Sequence, residues 1–273
     1  LVLERLPGVQ CADGDGAYAQ GGTFLVAGGA GGLGLALAGH LFAHGAVRVY
    51  ICGRSPLSGK SQAEVKELQR QGHPLTYLQC DITDRQQVAH LVELLGDPLA
   101  DNPVLDGIFH TAGVLRDRFI LAKDRACFRE VIAPKTTGTD LLVAAAKELG
   151  APFVCFFSST SSVLGNLGQC DYSFGNRYLD VLAQRESSPS LRLLSLNWSV
   201  WAGGGMQIPE PQLAILAERH GLIPLPLETG FAAMDACIAG DHRRTVLLHG
   251  DEAKILGNFF NQSQPTPATP PQD

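Results

Sequence analysis

The sequence predicts an α/β domain with a doubly wound parallel sheet of about seven strands and helices on both faces. Three observations carry this expectation. Apolar runs of strand length alternate with helical patterns from Thr23 onward. The runs are rich in β-branched and aromatic residues and mostly do not alternate with polar ones, as strands buried on both faces read. A glycine cluster, "AGGAGGLG" at 27–34, stands between the first such run and the first helical pattern.

In chain order, the predicted strands are 23–27 (TFLVA), 47–52 (VRVYIC), 75–80 (LTYLQC), 105–110 (LDGIFH), 153–158 (FVCFFS), 191–198 (LRLLSLNW) and 245–250 (TVLLHG). The predicted helices are 32–44, 61–71, 84–96, roughly 125–149, 173–185 and 227–239. No repeat of solenoid length interrupts this alternation.

The bulk properties fit one large α/β domain or two small ones. Of 273 residues, 45% are apolar, enough for a full core. A net charge of −6 with no basic block argues against a nucleic-acid partner. No apolar run reaches the roughly 18 residues of a membrane span, and no signal peptide is visible. The seven cysteines (Cys11, Cys52, Cys80, Cys127, Cys155, Cys170 and Cys237) form no CxxC pair, so they read as thiols in a reducing cytoplasm, with no disulfide framework and no metal site. Residues 1–22 are Gly-rich and patternless, and 261–273 are polar and Pro-rich. With no initial Met, these ends suggest linkers around a folded unit at 23–260, cut from a longer polypeptide; frayed termini are the alternative.

The glycine turn satisfies GxGxxG through Gly29, Gly31 and Gly34, and GxxxGxG through Gly28, Gly32 and Gly34. Either pattern makes a tight turn, lets a pyrophosphate approach the backbone and leads into a helix N-terminus. Leu33 lies within the same turn, and the whole is expected to be a Rossmann-like dinucleotide site; a Gly-rich turn that serves packing only is the alternative. At the end of the second strand stand Arg54 and Ser55 where an NAD site usually carries an acid. A guanidinium grips a 2′-phosphate, so NADPH is expected over NADH; a surface arginine is the alternative. Asp81, followed by Ile82, could accept from the adenine amino group or cap the next helix, a task Thr83 or Asp84 could also take. "HTAG", with His110, Ala112 and Gly113, would let the chain pass close to the nicotinamide ribose.

The fifth strand delivers Ser159 to the ligand edge, and the next loop delivers Tyr172. Ketone reduction needs a hydride from the cofactor, a hydrogen bond to the carbonyl oxygen and a proton. Ser159 can supply the bond and Tyr172 the proton. Four residues after Tyr172 stands Asn176, on the same helix face.

The glycine turn, "HTAG", Ser159 and Tyr172 resemble the short-chain dehydrogenase/reductase superfamily, which usually has lysine in the position of Asn176. "APKTTGT" (133–139), "FFSSTSSVLGNLGQCDYSFGNRYLD" (156–180) and "LNWSVWAGGGM" (196–206) narrow the resemblance to the ketoreductase domains of modular polyketide synthases. In that group the lysine lies on the helix before the fifth strand, which is Lys135 here. The resemblance implies that Lys135 lowers the pKa of Tyr172 and that Asn176 orients groups or holds a relay water. It implies a β-ketoacyl substrate on the phosphopantetheine arm of an acyl carrier protein, and other domains of the same polypeptide as partners. Singly, each residue also has a structural reading: Tyr172 and Asn176 as ordinary helix positions, Lys135 as a solvated one, Ser159 as a strand-end bond.

Two features depart from the family. Ala27 stands where Thr is common, and residues 1–22 are too short for the N-terminal structural subdomain such enzymes carry, though they could be its end. In "VLRDR", Asp117 matches the last Asp of the triplet that marks the B type, with Arg116 replacing the middle one. Leu164 stands where the opposite type has tryptophan. The expectation is a D-hydroxy product, with an N-cap as the structural reading of Asp117. Residues 198–206 and the short helical segment after them suit a mobile lid, with Trp201 and Met206 lining the acyl channel; a long surface loop with Trp198 in the core is the alternative. A silent reductase-like scaffold and a free-standing dehydrogenase of small alcohols are the competing functions.

Overall fold

The computed structural model describes residues 21–97, 104–204 and 208–259. Its strands are β1 (Thr23–Ala27), β2 (Arg48–Gly53), β3 (Leu75–Gln79), β4 (Gly107–His110), β5 (Phe153–Ser159), β6 (Arg192–Trp198), β7 (Trp201–Ala202), β8 (Leu225–Pro226) and β9 (Arg244–Leu247). Seven of them form one sheet in the order β3-β2-β1-β4-β5-β6-β9, every pair parallel. β7 and β8 make a separate small ribbon.

The helices are α1 (Gly32–Ala43), α2 (Gly59–Arg70), α3 (Arg85–Gly96), α4 (Arg125–Ile132), α5 (Thr137–Glu148), α6 (Ser161–Leu164), α7 (Cys170–Glu186), α8 (Glu210–Ile215), α9 (Leu227–Ala239) and α10 (Glu252–Phe259). Because side chains alternate along a strand, each strand feeds both faces of the sheet. Leu25, Ile108 and Val154 pack with Leu91, Leu142 and Leu179 of α3, α5 and α7. Phe24, Val26 and Phe109 pack with Leu37, Leu41 and Met234 of α1 and α9. The doubly wound expectation therefore holds, with a core on each side of the sheet.

Two local expectations are corrected. The helix predicted over 125–149 is two helices. Pro134 has no N–H to continue α4, so the chain passes through a 3₁₀ turn at Ala133–Lys135 before α5 begins. The helix predicted from 173 begins at Cys170, which moves Tyr172 from a loop into the first turn of α7. The β7–β8 ribbon, α6 and α10 are too short, or too far apart in sequence, for a periodic signal.

None of the six described cysteines forms a disulfide with another described residue, and Cys11 lies outside the described residues. The readings of 1–20 and 261–273 as linkers also fall outside them. No helix among the described residues is long and apolar enough to cross a membrane.

Candidate active site

A cleft of about 1560 Å³ runs along the carboxyl ends of the strands. It crosses the point between β1 and β4 where the winding reverses, the usual ligand position in such sheets. Its wall includes Gly28, Gly31, Gly32, Leu33, Gly34, Arg54, Ser55, Asp81, Ile82, Ala112 and Gly113 from the expected cofactor set, and Lys135, Ser159, Tyr172, Asp117, Leu164 and Trp201 from the rest. Gly29, His110 and Asn176 stand behind the wall; Met206 lies outside the described residues.

The glycines divide by task. Gly28 has φ +84, and a Cβ there would lie 2.5 Å from the Ala112 nitrogen. A Cβ on Gly34 would lie 2.5 Å from Gly29 Cα, and one on Gly29 2.6 Å from Ile51 Cβ. These three permit close packing of turn, helix and sheet. Gly31 differs, since a Cβ there would meet only the Gly28 oxygen, at 3.5 Å. The first turn of α1 has neither a side-chain cap nor an acidic residue, so its N–H groups are free for an anion. The turn thus fits a pyrophosphate.

At the end of β2, the Tyr77 hydroxyl donates to the Gly53 carbonyl (2.8 Å) and also to that of Ser55, which steadies the loop carrying Arg54. Arg54 Nη2 lies 4.0 Å from Glu130 Oε1. Glu130 also receives two bonds from Arg116, at 2.7 and 3.1 Å. Asp84, rather than Asp81, caps α3, accepting from Gln86 N and Gln87 N. Asp81 Oδ1 instead accepts from the Thr83 nitrogen and hydroxyl.

His110 is corrected. Its side chain is buried in the core, where Nε2 meets the Pro134 carbonyl (3.0 Å) and Thr139 Oγ1 (3.1 Å). Burial, with the nearby Lys135 charge, pulls its pKa down to about 3. A neutral imidazole therefore braces the turn that carries Lys135, and does not line the cofactor cleft.

Lys135 is only 2% exposed, so the solvated reading fails. The 3₁₀ turn aims it inward, and the absence of a side chain at Gly113 leaves room for it: a Cβ there would lie 3.3 Å from Lys135 Cε. Nζ donates to the Phe157 carbonyl at 3.0 Å and sits 5.7 Å from the centre of the Tyr172 ring. Burial brings its pKa down to about 8, against the pull of the Asp180 carboxylate.

Tyr172 lines the cleft from the first turn of α7. Burial pushes its phenol above the ordinary value; the Asn176 side chain pulls it down by hydrogen bonding, the Asp117 carboxylate pushes it up, and the Ser159 side chain pulls it down. The lowered tyrosine expected from Lys135 is therefore not found. The ammonium faces the ring and gives a hydrogen bond to the Phe157 carbonyl.

Asn176 is fully buried, not an exposed helix residue. Its Nδ2 donates to the Tyr172 carbonyl at 2.8 Å, while Oδ1 has no hydrogen-bond partner among the described residues. Ser159 Oγ accepts from Ser161 N at 3.1 Å, which fixes the strand end. Asp117 is not an N-cap: Phe119 holds that place before the next 3₁₀ turn, and Asp117 Oδ2 accepts from Gln169 Nε2 at 2.8 Å. Trp201 packs in tilted contact with Trp198 and Phe231, at centroid distances of 4.6 and 5.5 Å.

Two groups escaped sequence reasoning. Glu130, on α4, faces the cleft. Asp180, fully buried on α7, accepts from Ser162, Ser195 and Asn197. Its signal was an acid eight residues after Tyr172, hence on the same helix face.

Comparison with known proteins agrees with this geometry. A family model described as "KR domain" matches residues 22–203. Polyketide synthase PksN of Bacillus subtilis is 33% identical over 95% of the chain and 5% of its own length. Polyketide synthase PksM of the same organism is 32% identical over 92% of the chain and 6% of its own. A crystal structure of a ketoreductase domain from the bacillaene assembly line is similar with a TM-score of 0.81 and 32% identity, covering 86% of this chain and 58% of that one. The chain thus spans a small part of the curated relatives it matches. A matching family model over most of the chain, relatives a third identical and a shared fold lead to one conclusion: this chain belongs to the KR domain family, the ketoreductase domains of polyketide synthases.

Proposed function

We propose that the domain reduces the ketone of a β-ketoacyl thioester, held on the phosphopantetheine arm of an acyl carrier protein, to the β-hydroxyacyl thioester, with NADPH as reductant. The observation that carries this reading is the meeting of Tyr172, Ser159 and Lys135 on the wall of one cleft with the glycine turn. A bound nicotinamide supplies the hydride. The chain's own residues do the rest.

Ser159 Oγ donates to the ketone oxygen and polarises it. Tyr172 Oη then gives that oxygen its proton. A phenol held above its ordinary value is fully protonated at neutral pH, and an alkoxide is a far stronger base than a phenolate. Transfer is therefore downhill without a lowered tyrosine. Lys135 stabilises the phenolate left behind, and Asn176 Oδ1 suits a relay water that returns the proton to Tyr172.

Arg54, with no acid at the end of β2, supports NADPH over NADH. Its side chain is 56% exposed and free to turn from Glu130 toward a 2′-phosphate. Asp117, held by Gln169 on the cleft wall, and the lack of tryptophan at Leu164 support the B type and a D-hydroxy product. The segment around Gly204, whose Cβ would lie 3.4 Å from Leu33 Cβ, and the α8 residues that line the cleft support a lid over cofactor and acyl chain. The relatives' names support the other domains of a synthase as partners.

The test is parallel titration with NADPH and NADH, followed by turnover with a β-ketoacyl thioester on a truncated pantetheine mimic. The expected result is tighter NADPH binding and NADPH oxidation only when the ketone is present. Binding without turnover would favour a silent scaffold, and no binding would remove the reading.

A further inference from the structure

Beside the catalytic groups lies a buried ion pair that the mechanism above does not use. Lys123 Nζ is 2.6 Å from Asp171 Oδ2, with side chains 3% and 1% exposed. Two charges sealed this completely persist only when their remaining bonds are also made. Lys123 Nζ donates to the Arg116 carbonyl at 2.7 Å, and Asp171 Oδ1 accepts from the Tyr172 nitrogen at 2.9 Å.

One ammonium therefore joins two segments. On one side is the carbonyl next to Asp117; on the other is the carboxylate next to Tyr172. Two further bonds bridge the same gap, from Arg118 N to the Gly168 carbonyl (3.0 Å) and from Gln169 to Asp117. Asp117 and Arg118 are exposed, so water competes for those bonds. The Lys123–Asp171 pair is shielded from that competition.

We propose that Lys123 is a positioning residue, fixing the 114–119 loop against the first turn of α7 and thereby selecting which face of the ketone meets the hydride. The inference rests on the reductase reading above. A ketone has two faces, and the enantiomer formed depends on how the acyl chain lies relative to Tyr172 and Ser159. A loop free to shift against Tyr172 admits both orientations.

The test compares wild type, Lys123→Arg, Lys123→Met and the charge-neutral pair Lys123→Met/Asp171→Asn, which avoids leaving a buried carboxylate unpaired. Amide hydrogen exchange over 114–119 and 166–172 is read first, without substrate. Then kcat, KM, NADPH affinity and the enantiomer ratio of the alcohol are measured. The expected result is faster exchange in both segments in the neutral pair, and NADPH affinity within about twofold. Its kcat falls roughly 10- to 100-fold, and the minor enantiomer rises. Lys123→Arg recovers part of the ratio. Unchanged exchange in the folded neutral pair would overturn the proposal, and so would loosened exchange with an unchanged enantiomer ratio. If wild type reduces no ketone, the reductase reading falls, while the exchange comparison still decides whether Lys123 fastens the loop.

Discussion

The Lys135 ammonium lies 5.7 Å from the centre of the Tyr172 ring and gives its hydrogen bond to the Phe157 carbonyl. It is thus a buried charge placed beside the Tyr172 ring, and it costs stability. Burial brings Lys135 down to about 8, so the folded state resists its protonation. Between about pH 8 and the ordinary lysine value the unfolded chain binds more protons, and stability rises with pH; below that window the penalty is complete. Lys135→Met should therefore abolish most turnover and yet raise Tm by about 2–4 °C or more near pH 6. The gain should shrink above about pH 10. Calorimetry across this range checks it; a lower Tm near pH 6 would contradict the penalty.

Arg54, standing where an NAD site usually carries an acid, is the cationic group that favours a 2′-phosphate. Arg54→Ala should weaken NADPH binding roughly 10- to 100-fold, the range for hydrogen bonds to a charged group, and leave NADH binding little changed. Fluorescence titration with both cofactors reads the difference.

Gly28 and Gly31 should respond oppositely. Gly28→Ala forces a Cβ to 2.5 Å from the Ala112 nitrogen at φ +84, and should lower Tm sharply. Gly31→Ala meets only the Gly28 oxygen at 3.5 Å, so Tm should hold while NADPH affinity falls, because the methyl enters the phosphate path.

The strand–helix alternation was legible because strands buried on both faces read as apolar runs, and the glycine turn was legible because only glycine fits at three of its positions. Lys135, Ser159, Tyr172 and Asn176 were legible as residue types at family spacings. Their environment was not. The residue type does not mark Lys135 as buried: its inward aim comes from the break at the neighbouring Pro134 together with a brace from His110 on β4. The pKa direction of Tyr172 was misjudged for the same reason: burial is a property of the packed tertiary structure. Local sequence does not exclude the N-cap alternative for Asp117, because its partner, Gln169, lies 52 residues away.

His110, held down to about 3 by burial, should make the fold acid-sensitive. Between its ordinary value and about 3 the unfolded chain binds the extra proton, so stability is lost as pH falls through that window. The slope from this residue is at most about 1.4 kcal/mol per pH unit. Urea unfolding of wild type and His110→Gln from neutral pH downward should show the flatter slope in the variant.

The central claim is that Tyr172 donates the proton to a reduced ketone. The most direct measurement is NADPH oxidation with a β-ketoacyl thioester by wild type and by Tyr172→Phe, with NADPH affinity measured in both. The account predicts unchanged affinity and a loss of turnover of roughly 10²- to 10⁴-fold. A phenylalanine variant that binds NADPH and retains turnover within about tenfold of wild type would contradict it.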